Sequence, residues 1–271
     1  MKILLFGSTG MLGNYVHNLL KDEYTIVCIN RNMFDIETDN WNKLNEIITK
    51  YLQEKDIIIN CAGIIPQKYK NDDYKQFIRV NTLFPHKLSE ISNKKKYYLI
   101  HITTDCVFDG EKGLYTTNDT HNALNIYGIS KSLGEPEEAT VIRTSIIGEE
   151  IIGKKSLLEW VKSNKNGNIN GFENHYWNGI TCLTLAKIIK QIIQENNYWK
   201  GIKQIFSPNI VTKYKLCEYI NDIYNLNIEI KPCNDKISKN MTLTGDNNFV
   251  IDDIYIQLLE QFNFKYLSSR N

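Results

Sequence analysis

Lys2-Ile3-Leu4-Leu5-Phe6-Gly7-Ser8-Thr9-Gly10-Met11-Leu12-Gly13 is the stretch that decides the fold of this chain. The apolar run from Lys2 to Phe6 is long enough for a buried strand and too short for a helix. Glycines break it, and an amphipathic stretch from Met11 to Leu20 follows, with Leu12, Val16, Leu19 and Leu20 on one face. Strand, glycine turn and helix is the arrangement that a dinucleotide pyrophosphate needs. Gly7 allows the tight turn, Gly10 lets the backbone approach the phosphates, and Gly13 lets helix pack closely on strand. The free amides at the helix start supply the anion site. The cofactor-facing set expected at this turn is Gly7, Thr9, Gly10, Met11, Leu12 and Gly13.

Working outward, a second strand reads Tyr24 to Ile29 and is followed by Asn30-Arg31-Asn32. An acid at such a strand end accepts the ribose 2′-hydroxyl of NAD, whereas a nearby arginine accommodates the 2′-phosphate of NADP. Arg31 is present and no acid ends the strand, so NADP(H) is the expected cofactor, with NAD(H) as the alternative. A third strand, Asp56 to Asn60, opens into Cys61-Ala62-Gly63-Ile64-Ile65-Pro66, whose small residues let a ribose and diphosphate lie against the backbone. A fourth, Tyr97 to Ile102, runs into Thr103-Thr104-Asp105-Cys106-Val107-Phe108-Asp109-Gly110. Further on, Tyr127 and Lys131 stand four residues apart and on a helix share one face. The ammonium is expected to lower the pKa of a phenol that ordinarily sits near ~10. Such a tyrosine gives a proton to a carbonyl oxygen near neutral pH. A hydroxyl at Thr104 can orient the same carbonyl.

The GxxGxxG turn joined to a downstream YxxxK resembles the short-chain dehydrogenase/reductase superfamily. Within it, the string from Thr103 to Gly110 resembles the Ser-Thr-Asp-Tyr-Val-Phe-Asp-Gly signature of dTDP-4-dehydrorhamnose reductases. Tyr127-Gly128-x-Ser130-Lys131-x-x-Gly134-Glu135, Val141-Ile142-Arg143-Thr144-Ser145 and Trp177-Asn178-Gly179-Ile180-Thr181 agree with that family as well. The resemblance implies a catalytic set of Thr104, Tyr127 and Lys131, with Lys131 also on the nicotinamide ribose. It implies that Asp35-Ile36 lies against the adenine, that Cys61, Ala62 and Gly63 line the cofactor, and that Asn81 is a structural and proton-relay residue. Substrate contacts are expected from Thr104, Asp105 and Cys106, and from Trp177, Asn178 and Thr181 where the substrate domain begins a helix. Cys106 departs from the family's usual tyrosine, which removes an aromatic contact to substrate.

The implied activity is NADPH-dependent reduction of the 4-keto group of a nucleotide-linked 4-keto-6-deoxyhexose. The run from Cys61 to Pro66 and the cysteine in Thr-Asp-Cys-Val-Phe resemble a branch that makes 2-acetamido-2,6-dideoxy-L-hexoses as UDP derivatives. Two other classes stay open: a nucleotide-sugar epimerase or dehydratase, including a bifunctional epimerase-reductase, and a non-catalytic NADP-binding regulatory subunit resembling that of methionine adenosyltransferase.

At 271 residues and 42% hydrophobic composition, the chain can bury a sizeable core. Alternating strands and helices in the first half predict an α/β fold, a Rossmann-type doubly wound parallel sheet. Residues 1–150 form that domain in this reading. Residues 151–271 form a smaller substrate-binding lobe that interleaves with it, with helices near Leu157–Val161 and Leu183–Ile193 and a strand near Asn227–Lys231. A net charge of +1 without a basic stripe argues against nucleic acid. No apolar run approaches ~20 residues, which argues against a membrane span. The six cysteines are scattered without a CxxC, and Met1 leads straight into the first strand, so a reduced, cytoplasmic protein is expected. The five histidines lack metal-ligand spacing, so no metal is expected. A nucleotide sugar is the expected partner, and a homodimer remains open.

Overall fold

The computed structural model describes residues 1–66, 73–153, 155–246 and 248–264. Its first half runs β1 (Lys2–Phe6), α1 (Met11–Leu20), β2 (Thr25–Ile29), α2 (Trp41–Tyr51), β3 (Ile57–Asn60), α3 (Tyr74–Phe77), a π-helical stretch (Ile78–Leu83), α4 (Phe84–Lys95), β4 (Tyr98–Thr104), α5 (Ile126–Ser132) and β5 (Thr140–Thr144). The second half runs β6 (Ile146–Ile147), α6 (Leu157–Ser163), β7 (Asn168–Phe172), β8 (His175–Trp177), β9 (Ile180–Thr181), α7 (Cys182–Gln194), β10 (Gly201–Gln204), β11 (Val211–Thr212), α8 (Lys213–Ile223), β12 (Glu229–Cys233), β13 (Lys239–Asn240) and α9 (Ile254–Asn263).

Six strands form one parallel sheet in the order β10-β5-β4-β3-β1-β2. The inner strands read as continuous apolar runs because helices cover both of their faces, and all four residues of β3 are buried. Ile3, Leu5, Ile59, Ile100 and Ile142 pack against α1 and α7 on one face. Leu4, Phe6, Ile58, Leu99 and Val141 pack against α2 and α4 on the other. β1 has β2 on one side and β3 on the other, with Leu5 beside both Cys28 and Ile59. The strand order therefore reverses between β1 and β3, and a crevice opens at their carboxyl ends.

The expected doubly wound sheet is the observed one. Element ends moved where local pairing or turn chemistry intervened. β4 continues to Thr104 because Thr103 and Thr104 pair with Arg143 and Thr144. The strand expected at Asn227–Lys231 lies at Glu229–Cys233, since Asn225 and Asn227 take left-handed φ values of 49° and 55° and make a turn first.

A second body has its own core of Leu158, Val161, Ile169, Trp177, Leu216, Ile220 and Leu258. It is built on the pair β7–β12 and the three strands β11-β8-β13. The chain does not stay in this body after β9: α7 packs on α1, and β10 joins the outer edge of β5 with Ile202 beside Val141.

Candidate active site

Two adjoining cavities of about 560 and about 440 Å³ share Gly10, Cys61, Ala62, Gly63 and Ile64, and together form a cleft along the strands' carboxyl ends. The glycine turn shapes its middle. Gly7 has φ +76°, and a side chain there would meet the Ala62 nitrogen at 2.7 Å. A Cβ on Gly13 would lie 2.1 Å from the Gly7 carbonyl oxygen, so strand and helix touch only because residue 13 has none. Gly10 caps α1 without a side-chain hydrogen bond, and no acid occupies the first turn. The leading amides of α1 thus stay open to an anion at the positive end of the helix. This cradle fits the diphosphate of a dinucleotide.

The cavity beyond β2 takes in Thr9, Arg31, Asp35 and Ile36, together with Asn30, Phe34 and Glu37. Glu37 was not singled out in the sequence because it does not end β2. It arrives on the following loop and pairs with Arg31 at 3.1 Å.

The other cavity gathers Met11, Leu12, Thr104, Asp105, Cys106, Tyr127 and Lys131. Thr104 ends β4, where its hydroxyl donates to Asp105 Oδ1 at 3.0 Å and accepts from the Cys106 amide at 3.2 Å. Tyr127 and Lys131 sit on α5, which starts at the Asn125 cap, whose Oδ1 accepts from the Gly128 amide at 2.8 Å. Two glycines let this helix come close. A Cβ on Gly128 would lie 2.2 Å from the Cys106 carbonyl oxygen, and one on Gly134 would lie 1.8 Å from that of Asn81. Asn81 holds the helix from the π-helical stretch: its Nδ2 donates to Ser130 Oγ at 3.1 Å and to the Ile64 carbonyl at 3.0 Å, while Oδ1 accepts from the Ile64 amide at 3.0 Å. Lys131 Nζ donates to the Ile102 carbonyl at 3.0 Å.

The electrostatics correct one expectation. Burial pushes the Tyr127 phenol up, with Cys106 and Asp105 adding to the rise and a hydrogen bond with Thr104 opposing it. Desolvation, not the lysine, dominates the phenol in the free chain. Burial also brings Lys131 down to about 8, against the pull of Glu135, Cys61 and Cys106. Asp105 is raised by burial. Burial takes Cys61 and Cys106 up to about 12, so both stay thiols.

The residues expected from the second body do not reach the cleft. Trp177 and Asn178 are each 4% exposed and Thr181 is fully buried, and none of them lines either cavity. Asn178 clamps the Leu243 backbone, donating to its carbonyl and accepting from its amide, both at 2.9 Å. Thr181 caps α7 by accepting from the Thr184 amide. Trp177 packs where a Gly179 Cβ would be 2.3 Å from its ring. Trp177 thus sits in the core of the second body, and Thr181 at the cap of α7. Ser145 and Glu150 line the cleft instead. Lys213, at the start of α8, lies with its ammonium 5.1 Å from the centre of the Trp177 ring, within the field of Asp105. Ser145 was legible only as the end of a motif, and Lys213 carried no sequence signal.

The RmlD substrate binding domain family matches residues 1–240. The chain belongs to that family. A dTDP-4-dehydrorhamnose reductase of Aggregatibacter actinomycetemcomitans is 28% identical over 147 residues, 54% of this chain and 49% of that protein, so this match spans about half of the reductase. Methionine adenosyltransferase 2 subunit beta of Xenopus laevis is 25% identical over 87% of this chain and 76% of its own length. A dTDP-4-dehydrorhamnose reductase of Bacillus anthracis, solved in complex with NADP, superposes with a TM-score of 0.81 at 20% identity, covering 97% of this chain and 99% of that one. The RmlD-type fold thus extends over nearly the whole chain. Among its described residues no helix is long and apolar enough to cross a membrane. Nor do any three or more His, Cys, Asp or Glu side chains among them group to hold a metal ion.

Proposed function

We propose that this RmlD-family chain is an NADP(H)-dependent reductase of the 4-keto group of a nucleotide-linked 4-keto-6-deoxyhexose. One observation carries the reading: Thr104, Tyr127 and Lys131 converge from β4 and α5 on the same cleft that the glycine turn enters. A bound nicotinamide would supply the hydride, and the protein's share is placement and proton supply. Gly7, Gly10 and Gly13 admit the diphosphate, with Thr9 and the Met11 and Leu12 backbone beside it. Cys61, Ala62 and Gly63 line the middle of the cleft, and Arg31, Asp35 and Ile36 its far end. The Thr104 hydroxyl, turned from Asp105 Oδ1 to the substrate, orients its carbonyl. The Tyr127 phenol, kept protonated by its burial, delivers the proton to the carbonyl oxygen. Lys131 holds the nicotinamide ribose from its anchored position under Ile102.

The substrate side of the proposal is a UDP sugar with a 2-acetamido group. What supports it is Cys106, which lines the cleft with a small side chain where the resembling signature has tyrosine. Oxidation of NADPH with a panel of 4-keto nucleotide sugars tests the whole reading. A kcat/KM favouring a dTDP-deoxy sugar over the UDP-acetamido sugar by tenfold, ~1.4 kcal/mol of transition-state binding, would reassign the substrate. No turnover with any member, in a chain that binds NADPH, would favour a second reading. That reading is a regulatory subunit like the Xenopus relative, which matches a larger share of this chain than the Aggregatibacter reductase does.

A further inference from the structure

The far end of the cleft contains an ion pair whose two partners are unequally exposed. Arg31 and Glu37 both line the cavity beyond β2. The arginine side chain is 72% exposed and the glutamate 20%, with Nη2 and Oε1 3.1 Å apart. Glu37 stands on a braced loop. Its amide donates to Asp35 Oδ1 at 2.9 Å, and the Asp35 amide donates to Asp39 Oδ2 at 2.8 Å. Arg79 donates to the Ile36 carbonyl at 2.6 Å and to that of Asp39, and stacks 4.3 Å from the centre of the Trp41 ring. Arg31 is a long, largely solvated side chain on the loop after β2. It is the more exposed partner of the two.

We infer that Glu37 competes with the 2′-phosphate of NADP(H) for Arg31, and so holds down the preference for NADP(H) over NAD(H). The inference rests on the cofactor proposed above. A guanidinium offers one planar fork of donors, which suits a carboxylate or a phosphate but not both at full strength. Binding a 2′-phosphate requires Arg31 to leave Glu37, and it brings two like-charged groups together at the cavity wall. NAD(H) has only a hydroxyl at that position and leaves the pair intact. Because the pair is solvent-exposed on one side, the effect is a few-fold adjustment of selectivity.

The test is a pair of dissociation constants, for NADPH and NADH, measured by nucleotide fluorescence on the intact chain without sugar substrate. Glu37→Gln is expected to tighten NADPH about two- to five-fold, the worth of an exposed ion pair, and to leave NADH unchanged. Arg31→Ala is expected to weaken NADPH alone, and adding Glu37→Gln to it should restore less than Glu37→Gln gains when Arg31 is present. Unchanged or weaker NADPH binding in Glu37→Gln, or equal tightening of both nucleotides, would overturn the inference. A wild-type chain that binds neither nucleotide would instead remove the cofactor reading itself.

Discussion

Tyr127 has a phenol that its surroundings keep protonated: burial, Cys106 and Asp105 all raise it, and the hydrogen bond with Thr104 alone pulls the other way. That bias keeps a proton on the phenol, available to a carbonyl oxygen placed against it. Tyr127→Phe keeps the ring and removes the proton, and kcat is expected to fall roughly 10²–10⁴-fold with cofactor affinity retained. Single-turnover NADPH oxidation at the wild-type rate would refute the role. Lys131 behaves differently, since its ammonium is already brought down to about 8 by burial. Above that pH the folded chain holds fewer protons than the unfolded chain until the ordinary lysine value of 10.5 is reached. Stability should therefore rise with pH across this window, because the cost of burying the charge, present below pH 8, is relieved. Cofactor affinity should move the opposite way, as the positive charge is lost and the remaining amine is a weaker donor. An NADPH titration from about pH 7 to about pH 9 should show weakening in the wild type and a flat, weaker profile in Lys131→Met. A flat wild-type profile would show that Lys131 does not contact the cofactor.

Helix α5 is the element on which the site depends, and its far end is fixed by charge. Arg143 on β5 is fully buried, and donates to Glu135 through Nε at 3.1 Å and Nη2 at 2.7 Å, just past the end of the helix. His121 meets the same guanidinium at 2.6 Å through Nε2, and its Nδ1 lies 2.7 Å from Ser132 Oγ. The guanidinium only donates, so Nε2 must accept and the proton sits on Nδ1. Burial and Arg143 hold this imidazole below its ordinary pKa, consistent with a neutral ring. Removing Glu135 leaves an uncompensated cation in the interior, and Glu135→Ala is expected to cost about 3–5 kcal/mol in denaturant unfolding. Glu135→Met combined with Arg143→Met should recover most of that loss, because the desolvation penalty goes with the charges. A double variant as unstable as the single one would mean that shape, not charge, sets the position of α5.

At the scale of the molecule, the parallel sheet was legible because hydrophobic period and glycine spacing are local properties. α1 begins and ends where the amphipathic stretch from Met11 to Leu20 places it. Thr104, Tyr127 and Lys131 were legible as a set through motif spacing, and the structure brings them to one cleft. The π-helical stretch that carries Asn81 was not, since a single widened turn leaves no periodic trace. Glu37 and Lys213 were missed because their positions depend on loop paths and on packing between bodies, which no sequence window contains. Trp177 and Thr181 are buried, and the sequence could not place them: a motif at a helix start looks the same whether it faces a ligand or fills a core.

The return of the chain to the sheet also bears on how the protein is made. β5 is buried along its whole length, yet its outer neighbour is supplied by residues 201–204, long after the strand itself. While synthesis proceeds, the nascent sheet carries an open edge, and α1 lacks its cover from α7. Open edges of this kind recruit other chains. A fragment ending at residue 150 is therefore expected to aggregate, although it contains the glycine turn, Thr104, Tyr127 and Lys131. One ending just beyond Gln204 pairs the buried β5 with the short, less buried β10 and should give more soluble material on centrifugation after expression. Equal solubility of the two would mean that the edge is protected by some other route. For this chain the moment of risk falls between those two lengths, and a ribosome-bound chaperone has its clearest task there.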